Sequence, residues 1–126
     1  MKKVSFDFDG TLEKEEVQQY AKELVNRGIE VWITTTRFQD TRRYAMKCSN
    51  KDLYNVAKEV GIIPERIQFT NMEWKAPTLI KSGFIWHLDD NETEFEEMLA
   101  RGCPHLFIHV DLPGWEQLCN IILLRS

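Results

Sequence analysis

An α/β fold built on a five-stranded, mainly parallel central sheet is what this 126-residue sequence predicts. Three observations carry the prediction. Strand-like and helix-like segments alternate from one end to the other. Several strand-like segments are apolar enough to be buried on both faces, as parallel strands are. Polar residues stand at the ends of the first, second and fourth strands, where right-handed crossovers would gather them on one rim of the sheet.

The first segment is Val4-Ser-Phe-Asp-Phe-Asp-Gly-Thr-Leu12. Val4, Phe6 and Phe8 alternate with Ser5, Asp7 and Asp9, and the strand breaks at Gly10 into a turn. Residues two apart on a strand point the same way, so Asp7 and Asp9 are expected to project together. Two adjacent carboxylates repel unless a cation sits between them or one is protonated. A hard divalent ion such as Mg²⁺, bound through carboxylate, carbonyl and water oxygens, relieves that repulsion. Gly10 lets the backbone turn beside the site, and Thr11 offers an N–H and a hydroxyl to an anion.

A helix is predicted over 13–27, with Val17, Tyr20, Ala21, Leu24 and Val25 on one stripe and Gly28 as its cap. Ile29 to Ile33 is the second strand and runs into Thr34-Thr35-Thr36-Arg37. Phe38 to Cys48 reads as a helical piece carrying Arg42, Arg43 and Lys47. A second piece, Lys51 to Val60, places Leu53, Val56, Ala57 and Val60 on one face before Gly61. Ile67 to Phe69 is the third strand, followed by a loop containing Trp74 and Lys75 and a short helix over 77–81. Phe84 to Leu88 is the fourth strand, ending at Asp89-Asp90-Asn91. The next helix turns Phe95, Met98 and Leu99 inward and stops at Gly102. His105 to Val110 is the fifth strand and Trp115 to Leu124 the last helix. Trp32 and Trp86 read as core, and His87, His105 and His109 lack a metal-binding spacing, with His87 read as structural.

The bulk numbers fit one domain spanning 1–126. Apolar residues make up 43% and charged residues 29%, ordinary for a globular protein. The formal charge of −4 argues against broad non-specific nucleic-acid affinity. No apolar run approaches membrane-spanning length, and Met1-Lys2-Lys3 leads straight into a strand. Cys48, Cys103 and Cys119 are unpaired in pattern and read as reduced thiols, which points to the cytoplasm.

The segment from Val4 to Leu12 resembles motif I of the haloacid dehalogenase (HAD)-like superfamily of phosphotransferases, an apolar strand followed by Asp-X-Asp-Gly-Thr. Val-Trp-Ile-Thr-Thr-Thr-Arg resembles motif II, with Thr35 the preferred hydroxyl and Thr34 a one-residue alternative. Lys75 resembles the motif III lysine, with Lys81 competing, and His-Leu-Asp-Asp-Asn resembles motif IV. The resemblance covers nearly the whole chain and implies a three-layer Rossmann-like sandwich. It also implies a phosphomonoester hydrolase. Asp7 would be the nucleophile and would form an aspartyl-phosphate. Asp9 would be the general acid and then the base. Thr35 would hydrogen-bond the phosphoryl group, and Lys75 would balance charge. Mg²⁺ would be held by Asp7, the backbone carbonyl of Asp9, and Asp89, with Asp90 a ligand through water or a supporting partner. Gly10, Thr11, Thr36 and Arg37 complete the expected substrate-binding set.

Neither place where this superfamily inserts a cap domain has room for one here. Capless relatives have open sites and tend to act on large phosphorylated substrates, or borrow a lid from a neighbouring subunit. The basic set Arg37, Arg42, Arg43, Lys47 and Lys51, with Phe38 and Trp74 as aromatic surface, is loosely similar to the phosphatase domain of polynucleotide kinase-phosphatases. A solvated helix with two core aromatics is the plainer account of the same residues. The natural substrate, small molecule or macromolecular phosphate end, is not encoded in any readable motif. A non-catalytic phosphate-binding or signalling module on the same fold is the competing function. Receiver-domain order is contradicted, because Asp-X-Asp lies on the first strand and Asp-Asp on the fourth.

Overall fold

The structure is a computed structural model that describes residues 1–39 and 49–126. The predicted basic helix with Arg42, Arg43 and Lys47 therefore lies largely outside the described residues.

Five strands form one sheet: β1 (Lys3–Phe6), β2 (Glu30–Thr35), β3 (Ile67–Phe69), β4 (His87–Asp89) and β5 (Phe107–His109). Their order is β3-β2-β1-β4-β5, and every neighbouring pair is parallel, where the sequence implied a mainly parallel sheet. Among the described residues, five helices connect or follow them: α1 (Glu15–Asn26), α2 (Lys51–Val60), α3 (Ala76–Ser82), α4 (Glu92–Ala100) and α5 (Trp115–Arg125). The chain walks outward from β1 to β3, then crosses to β4 on the other flank of β1. The strand order thus reverses between β1 and β4, where an open parallel sheet leaves a crevice at its carboxyl edge.

Two apolar clusters pack against the sheet and make it the middle of three layers. Val4, Phe6, Val31, Ile33, Leu88 and Ile108 pack with side chains of α1, α2 and α5, including Tyr20, Leu24, Leu53, Ala57, Cys119 and Leu123. Phe6 meets Trp86 edge-on at 5.4 Å and Tyr20 at 6.4 Å between ring centroids. Ala76 and Leu79 of α3, Met98 of α4, Phe84 and Phe107 form the second cluster, with Trp32 and Phe95 half-buried against it. The sheet positions facing that second layer include Ser5, Thr34, Gln68 and His87, so one face of the sheet centre is polar.

Three local expectations are corrected. The first strand ends at Phe6, and Phe8–Leu12 is one tight helical turn broken at Asp9 and Gly10. Gly10 has φ 79°, a left-handed angle that only glycine adopts without strain, so the strand cannot run on to Asp9. The fourth and fifth strands are shorter and begin later than their apolar runs, and a single turn, Pro104–Leu106, leads into β5. Leu99 is exposed, not inward. Phe95 and Met98 already fill the stripe that α4 turns to the sheet, and Leu99 falls one position beyond it. Trp86 is fully buried as expected, whereas Trp32 is half-buried and donates its indole N–H to Glu30 at 2.6 Å. Among the described residues no helix is long and apolar enough to cross a membrane.

Candidate active site

Asp7 sits one residue past β1, at the crevice. Its N–H donates to the Leu88 carbonyl at 2.8 Å and its carbonyl accepts from Leu12 at 3.1 Å, so sheet and turn hold its backbone from both sides. The side chain is buried. Oδ1 accepts from Lys75 Nζ at 2.6 Å and Oδ2 accepts from the Thr11 hydroxyl at 3.1 Å.

Lys75 arrives from the other side. It stands immediately before α3, and its N–H donates to both oxygens of Glu94, at 3.2 Å each. The buried ammonium bridges Asp7 Oδ1 at 2.6 Å and Asp89 Oδ2 at 2.8 Å. Lys81, the competing lysine, is exposed in the last turn of α3. Asp89 ends β4 with no exposed surface. Its Oδ2 also receives His87 Nε2 at 2.8 Å, and its Oδ1 accepts the Asn91 N–H at 3.0 Å. The cap of α4 is Asn91, which accepts from the N–H groups of Thr93 and Glu94, so Asp89 is not used there.

Asp7, Asp89 and Asp90 bring carboxylate oxygens within 4.8 Å of one another. Three hard anionic oxygens at the mouth of a crevice suit Mg²⁺. Lys75 shares two of those acids, so the amine and a divalent ion would neutralise the cluster together. Gly10 is packed against Asp90: a Cβ there would lie 2.8 Å from Asp90 Cγ and closer still to its Oδ2. The glycine is thus required by both its φ and its neighbour.

Crowding three acids in a buried place shifts their ionisation. Burial, reinforced by Asp89, raises the Asp7 carboxyl to about 8 against the pull of Lys75. Burial would raise Asp89 too, but His87 and Lys75 hold it well below the usual carboxylate range. Burial opposes the charge on Lys75, yet Asp7 and Asp89 outweigh it and hold the amine up. Asp90 and Glu94 are raised by burial, and burial pulls His87 down.

Asp9 does not join this cluster. Because the chain leaves strand geometry after Phe6, its half-exposed side chain turns to Arg37, which donates from Nε at 2.9 Å and from Nη2 at 2.6 Å. Arg37 also pairs with Asp52 of α2, at 2.7 and 2.9 Å, and its guanidinium carbon lies 4.9 Å from the Phe8 ring centre. The expectation that Asp7 and Asp9 project together is corrected accordingly.

Thr34 and Thr35 at the end of β2, and Thr36 just past it, separate clearly. Thr34 spends its hydroxyl on Ser5 at 2.8 Å and Gln68 at 3.1 Å, inside the sheet. The Thr35 hydroxyl accepts the Arg37 N–H at 3.2 Å, at the turn that leaves the rim. Thr36 lines an opening of about 590 Å³ together with Met72, Trp74, Pro77, Asn91, Glu94 and Arg101. Trp74 is 49% exposed, so its reading as a core aromatic does not hold.

Sequence reasoning missed His87, Glu94 and Asp52 as partners of the site. The His87-Leu-Asp89 spacing on a strand was a usable signal, since residues two apart share a face. Glu94 and Asp52 carried none, because their partners lie on other elements.

Fold and site together define a Rossmann-like α/β sandwich with a carboxylate–lysine centre at the carboxyl rim of its parallel sheet. The segments that resemble motifs I, III and IV of the HAD-like superfamily meet in that centre, in the order the resemblance requires. No family model and no curated protein matches the chain. Among solved structures, the chain is similar to a candidate 3-deoxy-D-manno-octulosonate 8-phosphate phosphatase from Vibrio cholerae. The two are 16% identical, with 98% of this chain and 84% of that one covered and a TM-score of 0.43. A likeness of that size leaves the chemistry to the residues.

Proposed function

We propose that the protein is a Mg²⁺-dependent phosphomonoester hydrolase that works through an aspartyl-phosphate on Asp7. The observation that carries this reading is the contact of Lys75 with both Asp7 and Asp89, in a cluster that Asp90 completes. A buried carboxylate flanked by an amine and two further acids is organised to meet a phosphoryl group, not to cap a helix. Mg²⁺, when bound by Asp7, Asp89 and Asp90, supplies positive charge that offsets the repulsion between carboxylate and phosphate.

The rest falls to the chain's own residues. Asp7 Oδ attacks phosphorus and the bond to the leaving oxygen breaks, with the leaving group taking a proton from Asp9. Water then attacks the aspartyl-phosphate, Asp9 accepts its proton, and phosphate leaves with the Asp7 carboxylate restored. Lys75 stabilises charge on the equatorial oxygens, and Thr11, Thr35 and Thr36 supply hydroxyls and N–H groups at the rim. Arg37 binds the substrate phosphate or its neighbour, in exchange for its contacts with Asp9. The leaving group occupies the opening lined by Trp74. Its solvent access suits either a small phosphate or the phosphorylated end of a larger molecule, including nucleic acid.

Hydrolysis of a generic aryl phosphate with Mg²⁺ tests the reading. Activity abolished by Asp7→Asn and greatly reduced by Asp9→Asn is the expected result. A wild-type protein inert across sugar phosphates, nucleotides and phosphorylated oligonucleotides would sink it, in favour of a phosphate-binding module.

A further inference from the structure

Behind Asp89 runs a chain of hydrogen bonds, buried at the Asp89 end, that the hydrolytic scheme does not use. Asp89 Oδ2 meets His87 Nε2 at 2.8 Å, and His87 Nδ1 meets the Ser5 hydroxyl at 2.9 Å. Ser5 contacts Thr34 at 2.8 Å, and Thr34 donates to Gln68 Oε1 at 3.1 Å. Gln68 Nε2 donates to Ser82 Oγ at 3.3 Å, which donates to the Thr78 carbonyl at 2.6 Å. The chain crosses β4, β1, β2 and β3 and ends on α3. Ser5, Thr34, His87 and Asp89 are each at most 1% exposed.

Apolar side chains at these positions would pack without any demand for partners, whereas buried polar groups are costly unless satisfied. Among the described residues no buried side-chain donor or acceptor lacks a partner, so the demand is met in full. Its physical effect is rigidity at one end. The His87 ring is gripped at both nitrogens and braced edge-on by Phe107, 6.0 Å between ring centres. Asp89 otherwise depends on Lys75, which also serves Asp7, and on one backbone N–H. Among the described residues, His87 is its one side-chain partner that no other acid shares.

We infer that His87 is a positioning residue: anchored through Ser5, Thr34 and Gln68 to α3, it fixes the Asp89 carboxylate in the orientation that receives the divalent ion. The inference rests on the metal-dependent reading above. Groups that orient a ligand from behind commonly govern metal affinity by 10–100-fold when removed.

Mn²⁺ binding, read by electron paramagnetic resonance without any substrate, tests it. Gln at position 87 can place an amide N–H where Nε2 stands, whereas Asn reaches the Ser5 end and Leu reaches neither. Expected are Kd values within about threefold of wild type for His87→Gln, and weakened by roughly 10–100-fold for His87→Asn and His87→Leu. Ser5→Ala, which touches no carboxylate, weakens Mn²⁺ by several-fold in the same direction and keeps the test open should His87→Leu not fold. At saturating metal, turnover recovers in each folded variant and KM for an aryl phosphate stays put. A space-filling role for His87 would lower Tm and leave the Kd alone. Wild-type-like Kd in His87→Asn and Ser5→Ala overturns the inference, and so does equal weakening in the Gln and Asn variants. A wild-type chain that binds no Mn²⁺ overturns the metal-dependent reading itself.

Discussion

Arg37 grips both carboxylate oxygens of Asp9, at 2.9 and 2.6 Å, in a two-point contact. The residue expected to bind substrate thus holds the residue expected to move the proton. On the proposed reading, a substrate phosphate would compete for the same guanidinium, and its arrival would free Asp9 for acid–base work. Fork-shaped recognition of this kind is specific to arginine. Arg37→Ala and Arg37→Lys should each raise KM for an aryl phosphate by about tenfold, equivalent to about 1.4 kcal/mol of lost binding. Stability should move by less than about 1 kcal/mol, because the ion pairs are partly exposed. Steady-state kinetics and chemical denaturation check both, and an unchanged KM would remove Arg37 from the substrate's path.

Gly10 combines φ 79° with an Asp90 carboxylate that occupies the space a Cβ would need. A methyl group there strains the backbone by about 1–2 kcal/mol and pushes Asp90 aside. Gly10→Ala should therefore weaken Mn²⁺ by roughly tenfold or more, a loss of the kind seen when ligand support is disturbed. Affinity equal to wild type would show that Asp90 takes no part in holding the ion.

The raised Asp7 carboxyl sets a pH dependence. Its folded value, about 8, lies above the ordinary 3.8, so in metal-free protein this group's stabilising contribution is full below about 4 and is lost as pH rises through about 8. Metal requires the carboxylate and therefore competes with the proton. Mg²⁺ should bind more weakly as pH falls below about 8, and binding should release protons. Calorimetry in buffers of different ionisation enthalpy detects that release. Affinity independent of pH from about 6 to about 9 would contradict the burial of Asp7 as an acid.

Trp74 offers a flat apolar face beside the opening. Stacking of a base on an aromatic contributes roughly 1–3 kcal/mol. Trp74→Ala should raise KM for nucleotides or oligonucleotide ends by about tenfold while leaving small aliphatic phosphates unaffected. A uniform effect on all substrates would assign Trp74 to loop structure.

Phe6, fully buried between Trp86 and Tyr20, tests the core independently of the site. Phe6→Ala should cost about 3–5 kcal/mol in equilibrium unfolding. A loss under about 1 kcal/mol would mean that the cluster repacks freely.

Much of this was legible in the chain. Helix α2 and strand β3 fall where periodicity placed them, because Lys51–Val60 and Ile67–Phe69 are bounded by glycine and proline signals that act locally. The choice of Lys75 over Lys81 also followed from local position, since one precedes a helix and the other ends it. Leu99 and Trp74 were harder. Each is apolar, and whether an apolar residue is covered depends on what packs nearby, which composition does not state.

The sequence alone determined which residues carry charge and which end of each strand they occupy, because strand alternation and turn chemistry are short-range. Only the tertiary structure decided the distant pairings: Lys75 to Asp7 and Asp89, Arg37 to Asp9 and Asp52, His87 to Ser5. These contacts join residues 14 to 82 positions apart, and the one between His87 and Ser5 forms because the strand order reverses beside β1. Distance along the chain says nothing about which oxygen a distant amine will reach; the sheet settles it by bringing β1 and β4 side by side.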